Sequence, residues 1–196
     1  MGCLAGGEGF GYNYPMATIL AVLGEKLSGK DTIAQYLVDR HGAYHTRYSH
    51  FLDEILTILG LPITRRNEND LGYGLRQYFG EDVLSRAQTQ RILKSDADLI
   101  VINGLRFQSD LDQARSLGAH LIYVTAPKEL RFKRALERGE KAESSREIFE
   151  AQEQEVYEIN TPRFGAQADY KIENTGTLEE LQQKIEDILS QIKQAS

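Results

Sequence analysis

Lys30 stands near the end of a glycine-framed turn, Gly24-Glu-Lys-Leu-Ser-Gly-Lys-Asp-Thr32, that follows the largely apolar run Thr18-Ile-Leu-Ala-Val-Leu23. Gly24 and Gly29 accept backbone angles that side-chain-bearing residues resist, so successive N–H groups around Lys26 and Ser28 can point at one anion. A helix beginning near Lys30 adds its positive end, and the Lys30 ammonium reaches the outer phosphates. Strand, loop and helix in this order build a cradle for a polyphosphate such as ATP. The strict form of the pattern puts Ser or Thr directly after the lysine; here Asp31 occupies that position and Thr32 follows. A glycine turn without a ligand is the plainer reading. The amphipathic run Ile33, Ala34, Leu37, Val38 behind the turn favours the cradle.

Arginines are the next candidates. Arg131, Arg134 and Arg138 recur at helical spacings that put them on one face. Bidentate guanidinium groups suit the spread charge of a phosphoryl group in transfer. A solvated basic face paired with Glu129 and Glu137 is the alternative. Arg65 and Arg76 lie beside apolar residues, and Arg106 ends the turn Asn103-Gly-Leu-Arg106. For proton transfer the candidates are His50, which titrates near neutral pH, and Asp53 one turn on. A lone histidine at a helix start also serves as a cap or a surface residue.

The elements that must position these groups alternate along the chain. After the first strand and a helix from about Lys30 to His41 comes a short strand near Ala43 to Tyr48. A mostly helical stretch runs from His50 to Lys94, with breaks expected at Gly60-Leu-Pro62, Gly72 and Gly80. Leu99-Ile-Val-Ile102 is short and continuously apolar, as a strand covered on both faces is. A helix from about Ser109 to Leu117, the strand Leu121-Ile-Tyr-Val124 and a basic helix from Pro127 to Arg138 follow. Ser144-Ser-Arg-Glu147 and Thr177-Leu-Glu-Glu180 read as capping boxes that open two more helices, with the strand Asp169-Tyr-Lys-Ile-Glu173 between them. Leu178, Leu181, Ile185, Ile188 and Ile192 form one face of the last helix, which packs on a sheet. Five strands interleaved with helices predict an α/β fold with a doubly wound parallel sheet and ligands at the strand C-terminal ends.

Bulk properties narrow the function classes. With 196 residues and 41% hydrophobic content the chain buries one core, expected as a single domain over residues 17–196. A formal charge of −6, spread along the chain, argues against a nucleic-acid polymer as partner. The lone Cys3 fits a reducing cytoplasm, and no apolar stretch approaches the roughly 20 residues that cross a bilayer. Residues 1–16 lack the basic start and apolar centre of a secretory signal, and Gly6 weakens any lipidation reading of Met1-Gly-Cys3. A disordered extension, or a start codon read too early with Met16 the true start, is expected there.

With these motifs in place, the chain resembles the nucleoside- and nucleotide-monophosphate kinase branch of the P-loop proteins, and most of all dephospho-CoA kinase and its relatives. Four stretches carry the likeness: Gly29-Lys-Asp-Thr32, as in phage-type deoxynucleotide kinases; Thr64-Arg65 through Leu75-Arg76 and Phe79-Gly80; Ile102-Asn-Gly-Leu-Arg106; and Ala168-Asp-Tyr-Lys-Ile-Glu-Asn-Thr-Gly176. The resemblance implies strand order 2-3-1-4-5, an acceptor-binding helical region at about 49–95 and a small lid at about 131–147. It implies ATP and magnesium as cofactors, with the Walker A loop and Thr32 on the donor phosphates, Arg134 and Arg138 in the lid, and Asn174, Thr175 and Gly176 beside the donor base. It further implies acceptor contacts from Arg65, Arg76 and Arg106.

Two departures qualify the likeness. Relatives carry an aspartate where Asn103 stands, holding the water shell of magnesium, and an acid where His50 aligns. Asp31 offers a carboxylate that suits magnesium, so it is expected to take over metal binding, with Asn103 acting through water. The leading expectation is a kinase moving the γ-phosphate of ATP to a nucleotide-like small molecule. A catalytically weakened ATP-binding protein is the alternative, and an ATPase switch a third. The acceptor and the oligomeric state stay open at this level.

Overall fold

The computed structural model describes residues 17–138 and 145–195. The expectation for residues 1–16 and the middle of the expected lid lie outside the described residues. The chain runs β1 (Thr18–Leu23), α1 (Lys30–His41), β2 (Tyr44–Arg47), α2 (Ser49–Ile58), α3 (Arg65–Phe79), α4 (Val83–Ile92), β3 (Leu99–Asn103) and α5 (Gln108–Ser116). It continues through β4 (His120–Thr125), α6 (Lys128–Arg138), α7 (Arg146–Glu153), α8 (Val156–Ile159), α9 (Thr161–Gly165), β5 (Tyr170–Glu173) and α10 (Leu178–Ala195). All strand pairs are parallel, in the order β2-β3-β1-β4-β5.

Alternation along the strands sends side chains to two covered faces. Leu20, Val22, Val101, Ile122 and Val124 pack with Ile33 and Leu37 of α1 and with Ile185 and Leu189 of α10. Ile19, Ala21, Leu23, Ile100, Ile102 and Leu121 pack on the other side with Leu52, Leu84, Ile92 and Leu111. The apolar stripe of the last helix therefore serves the sheet. Register aligns Val22 and Arg47 with Asn103, and Thr125 with Glu173, so one edge of the sheet carries Gly24, Arg47, Asn103 and Asn174 within a residue or so of the strand ends.

Two local expectations shift. Gly72 sits inside α3 rather than breaking it. A Cβ there would lie 3.3 Å from Leu52 Cδ1, so the glycine marks the close approach of α2 and α3. The first expected capping box begins at Ser144, outside the described residues; Ser145 is the N-cap instead, accepting from Ile148 N at 3.2 Å and donating its hydroxyl to Glu147 at 2.8 Å, so a simple cap opens α7. The second is as read, with Glu180 N on Thr177 Oγ1 at 3.3 Å and Thr177 N on the Glu180 carboxylate at 3.0 Å. The short helices α8 and α9 carried no sequence expectation.

Candidate phosphate-transfer site

The turn between β1 and α1 is held open by contacts on its outer side. Gly24 passes so close to β4 that a Cβ would lie 2.1 Å from the Val124 carbonyl oxygen. Gly29 has φ +108° and caps α1, and a Cβ on it would meet Asn174 Nδ2 at 2.3 Å. Leu27 also takes a left-handed φ of 63°, a strained choice for a branched side chain. The loop carbonyls are tied from outside: Arg131 Nη1 donates to Lys26 O at 3.3 Å, Arg134 Nη1 to Leu27 O at 3.1 Å, and Asn174 Nδ2 to Ser28 O at 2.8 Å. Because C=O and the next N–H point opposite ways across a peptide plane, these bonds turn the Leu27 and Gly29 amides inward. Glu25 fixes the base of the loop by accepting from Tyr123 Oη and, at 3.3 Å, from Thr125 Oγ1. Burial and that carboxylate push the Tyr123 phenol up to about 12, so it stays a donor.

Lys30 is buried at the mouth of the loop, its Nζ 3.4 Å from Asp31 Oδ2. Burial holds its ammonium below the usual lysine range, against the pull of Asp31, and Arg106 lowers it further. Packing around Asp31 works to raise its carboxyl, but the Lys30 charge and hydrogen bond hold it below the usual carboxylate range. Asn103 Nδ2 donates to Asp31 Oδ1 at 2.9 Å, while Asn103 Oδ1 is buried without a partner. A carboxylate beside an orphaned amide oxygen is a hard-oxygen pair of the kind magnesium takes when phosphates supply the rest. Among the described residues no group of three or more His, Cys, Asp or Glu could hold a metal.

A cavity of about 570 Å³ opens beside the loop and brings together Lys26, Lys30, Asp31, Asn103, Arg106 and Arg138 with Arg65 and Arg76. A second depression of about 380 Å³ joins Gly29, Thr32, Arg134, Asn174 and Gly176 on the far side of the loop; Arg138 borders both. Arg134 reaches the loop itself, its Nη2 donating to Asn174 O at 3.0 Å. Arg131 is buried in a bidentate pair with Glu153 at 2.7 and 2.6 Å. Arg76 lies in the cavity wall, stacked 3.8 Å over the Phe107 ring centroid, with Nη2 3.4 Å from Asp110 Oδ1. Arg65 pairs with Glu155 at 2.5 Å, and Arg106 with Glu158 at 2.6 Å.

His50 and Asp53 are not among the residues that line the cavity. The His50 ring meets His45 edge-on at 5.9 Å, and burial, then Arg47 and His45, hold it below the usual histidine range. Asp53 pairs with Arg47 at 3.1 Å, and its carboxylate acts on Glu68, which does line the cavity. Burial and Asp53 hold Glu68 above the usual carboxyl range.

Sequence reasoning missed Glu68, Asp110 and Glu158. Asp110 had a legible signal, an acid at the third position of α5, and its Oδ2 accepts from Arg106 N at 2.9 Å and Phe107 N at 3.1 Å. Glu158 had none, since its partners are 52 and 132 residues away.

The family model described as an AAA domain matches residues 21–158. A UPF0200 protein of Saccharolobus islandicus is 28% identical over 187 residues, covering 92% of this chain and 97% of its own. Another UPF0200 protein, from Aeropyrum pernix, is 26% identical over 170 residues, covering 86% and 90%. Among solved structures, shikimate kinase from Acinetobacter baumannii in complex with shikimate superposes with TM-score 0.59 at 19% identity, covering 92% of this chain and 97% of that one. TT1252 from Thermus thermophilus gives TM-score 0.57 at 17% identity, covering 89% and 97%. The fold is that of the P-loop kinases.

Proposed function

This chain belongs to the AAA domain family, and on that footing we propose that it is a small-molecule kinase that moves the γ-phosphate of ATP to a nucleotide-like acceptor. One observation carries the reading: a single cavity joins the loop lysine to arginines from the helical arm. A protein that only bound or hydrolysed ATP would need no second anion-binding wall opposite the loop.

In this reading the Walker A amides and Lys30 hold the donor phosphates, with the depression lined by Thr32, Asn174 and Gly176 taking the rest of ATP. Asp31 would hold magnesium, with Asn103 Oδ1 reaching its water shell, and the ion when bound supplies positive charge at the phosphates. Arg65, Arg76 and Arg106 face the acceptor. The acceptor oxygen forms its bond to the γ-phosphorus as the bond to the β-phosphate oxygen breaks, and Arg106 and Arg138 spread the charge. The hydroxyl proton passes to Glu68, a carboxylate that lines the cavity. The single cysteine of the chain suits a cytoplasmic setting, and among the described residues no helix is long and apolar enough to cross a membrane.

A second reading, a weakened nucleotide binder, is favoured by the buried Asn103 amide and by a cavity lining that does not include His50. The test is acceptor-dependent ADP formation. The protein is incubated with ATP, magnesium and a panel of deoxynucleoside monophosphates, dephospho-CoA and shikimate. Turnover that an acceptor stimulates and that Lys30→Met abolishes supports the kinase. Tight ATP binding without turnover, restored by Asn103→Asp, supports the weakened binder.

A further inference from the structure

The segment from α7 into α8 lays acidic and amide groups on the basic side of the cradle. Glu158, 4% exposed, accepts from Arg106 Nη1 at 2.6 Å and from the Lys26 backbone N–H at 3.3 Å. Glu155 takes Arg65 at 2.5 Å, and Gln152 Oε1 accepts from Lys26 Nζ at 2.9 Å. A carboxylate is costly to bury unless it is paired and hydrogen-bonded. Glu158 meets that condition with a loop amide and a guanidinium, the same two donor types that a phosphate takes at such a loop. A second anion cannot share those donors without like-charge repulsion against the buried carboxylate.

Resting on the kinase reading above, we propose that Glu158 and the terminal phosphate of a nucleoside triphosphate compete for the Lys26 amide and Arg106, so that triphosphate binding releases the Gln152–Glu158 strap from the cradle. Glu155 sits on the same strap, so its release also frees Arg65 on the acceptor side. The consequence is an order of events: the donor nucleotide enters first and readies the acceptor wall. Glu153, within the strap, is held bidentately by Arg131, so the released strap stays tethered to α6 at that residue.

The experiment is calorimetric titration of the full chain and of Glu158→Gln with magnesium and a non-hydrolysable ATP analogue, and separately with ADP. Loss of a competing charged acceptor is expected to tighten analogue binding on the order of tenfold and to change ADP affinity by less than about twofold. Glu158→Asp, too short to span both donors, is expected to gain in the same direction. In the unmodified chain, amide hydrogen exchange over residues 152–159 is expected to speed up with the analogue and not with ADP, a readout that needs no substitution. Equal or weaker analogue binding by Glu158→Gln overturns the proposal, as does slower exchange of the strap on analogue binding. A wild-type chain that binds the analogue through Lys30, with no gain in either Glu158 variant, removes this inference alone. Failure of every protein to bind the analogue removes the kinase reading and this inference with it.

Discussion

Asn103→Asp converts a hydrogen bond into a like-charge contact, and its effect on stability should reverse with magnesium. Asn103 is 1% exposed and donates from Nδ2 to Asp31 Oδ1 at 2.9 Å. An ionised aspartate there has no proton to give, and a hydrogen bond to a charged group is worth about 1.5–3 kcal/mol. Two unit charges 4 Å apart add repulsion of about 4 kcal/mol at an effective dielectric of 20. That repulsion is largely screened, because the Asp31 side chain is 59% exposed and swings toward water. The net cost is then about 3 kcal/mol, which lowers the melting temperature by roughly 6–12 °C in a chain of this size. A divalent cation between two carboxylates repays it, since ligand at about one hundred times its Kd stabilises by about 2.7 kcal/mol. The assay is thermal melting of wild type and variant in chelator and in millimolar magnesium, without nucleotide. The wild type, with one carboxylate at the position, should move little. A variant that melts with the wild type in chelator, or gains no more from magnesium than the wild type does, would falsify the pairing of residues 31 and 103 as a metal position.

Two further outcomes test the surroundings. Arg76→Met strips the guanidinium from Asp110, which is fully buried and retains Ser85 Oγ at 2.8 Å and two backbone amides. Breaking a buried pair costs about 3 kcal/mol or somewhat more, read by urea denaturation; unchanged stability with only a raised KM for the acceptor would make Arg76 a ligand rather than a wall. The His50 imidazole should titrate by NMR with a midpoint below 6.5. Since the unfolded chain then binds a proton that the folded one refuses, stability should fall as pH drops from about 6.5 toward that midpoint and level off below it. His50→Gln should flatten the fall, and a midpoint at or above 6.5 refutes the assignment.

Much of the frame was legible because its signals are local. The apolar run Leu99–Ile102 could only be a covered strand, and Gly24 and Gly29 stand where side chains would strike Val124 and Asn174. The Thr177 capping box is settled within four residues. Gly72 was misleading: a glycine in a helical pattern reads as a break, yet here it lets α2 and α3 approach.

The partners of the arginines were not legible. Arg131 reads on its helix as a neighbour of Glu129 and Glu137, two and six residues away; in the fold it takes Glu153, 22 positions on. Arg134 reads as a lid residue, and its bonds to Leu27 O in the loop and Asn174 O after β5 could not be read from its neighbours.

Sequence by itself thus determined the elements and the glycine-framed turn between β1 and α1, because backbone angles and apolar periodicity act over a few residues. Tertiary structure alone decided which acid meets which base. A buried charge must find its counterpart wherever packing brings one, so Glu158 lies on Lys26 across 132 residues of chain.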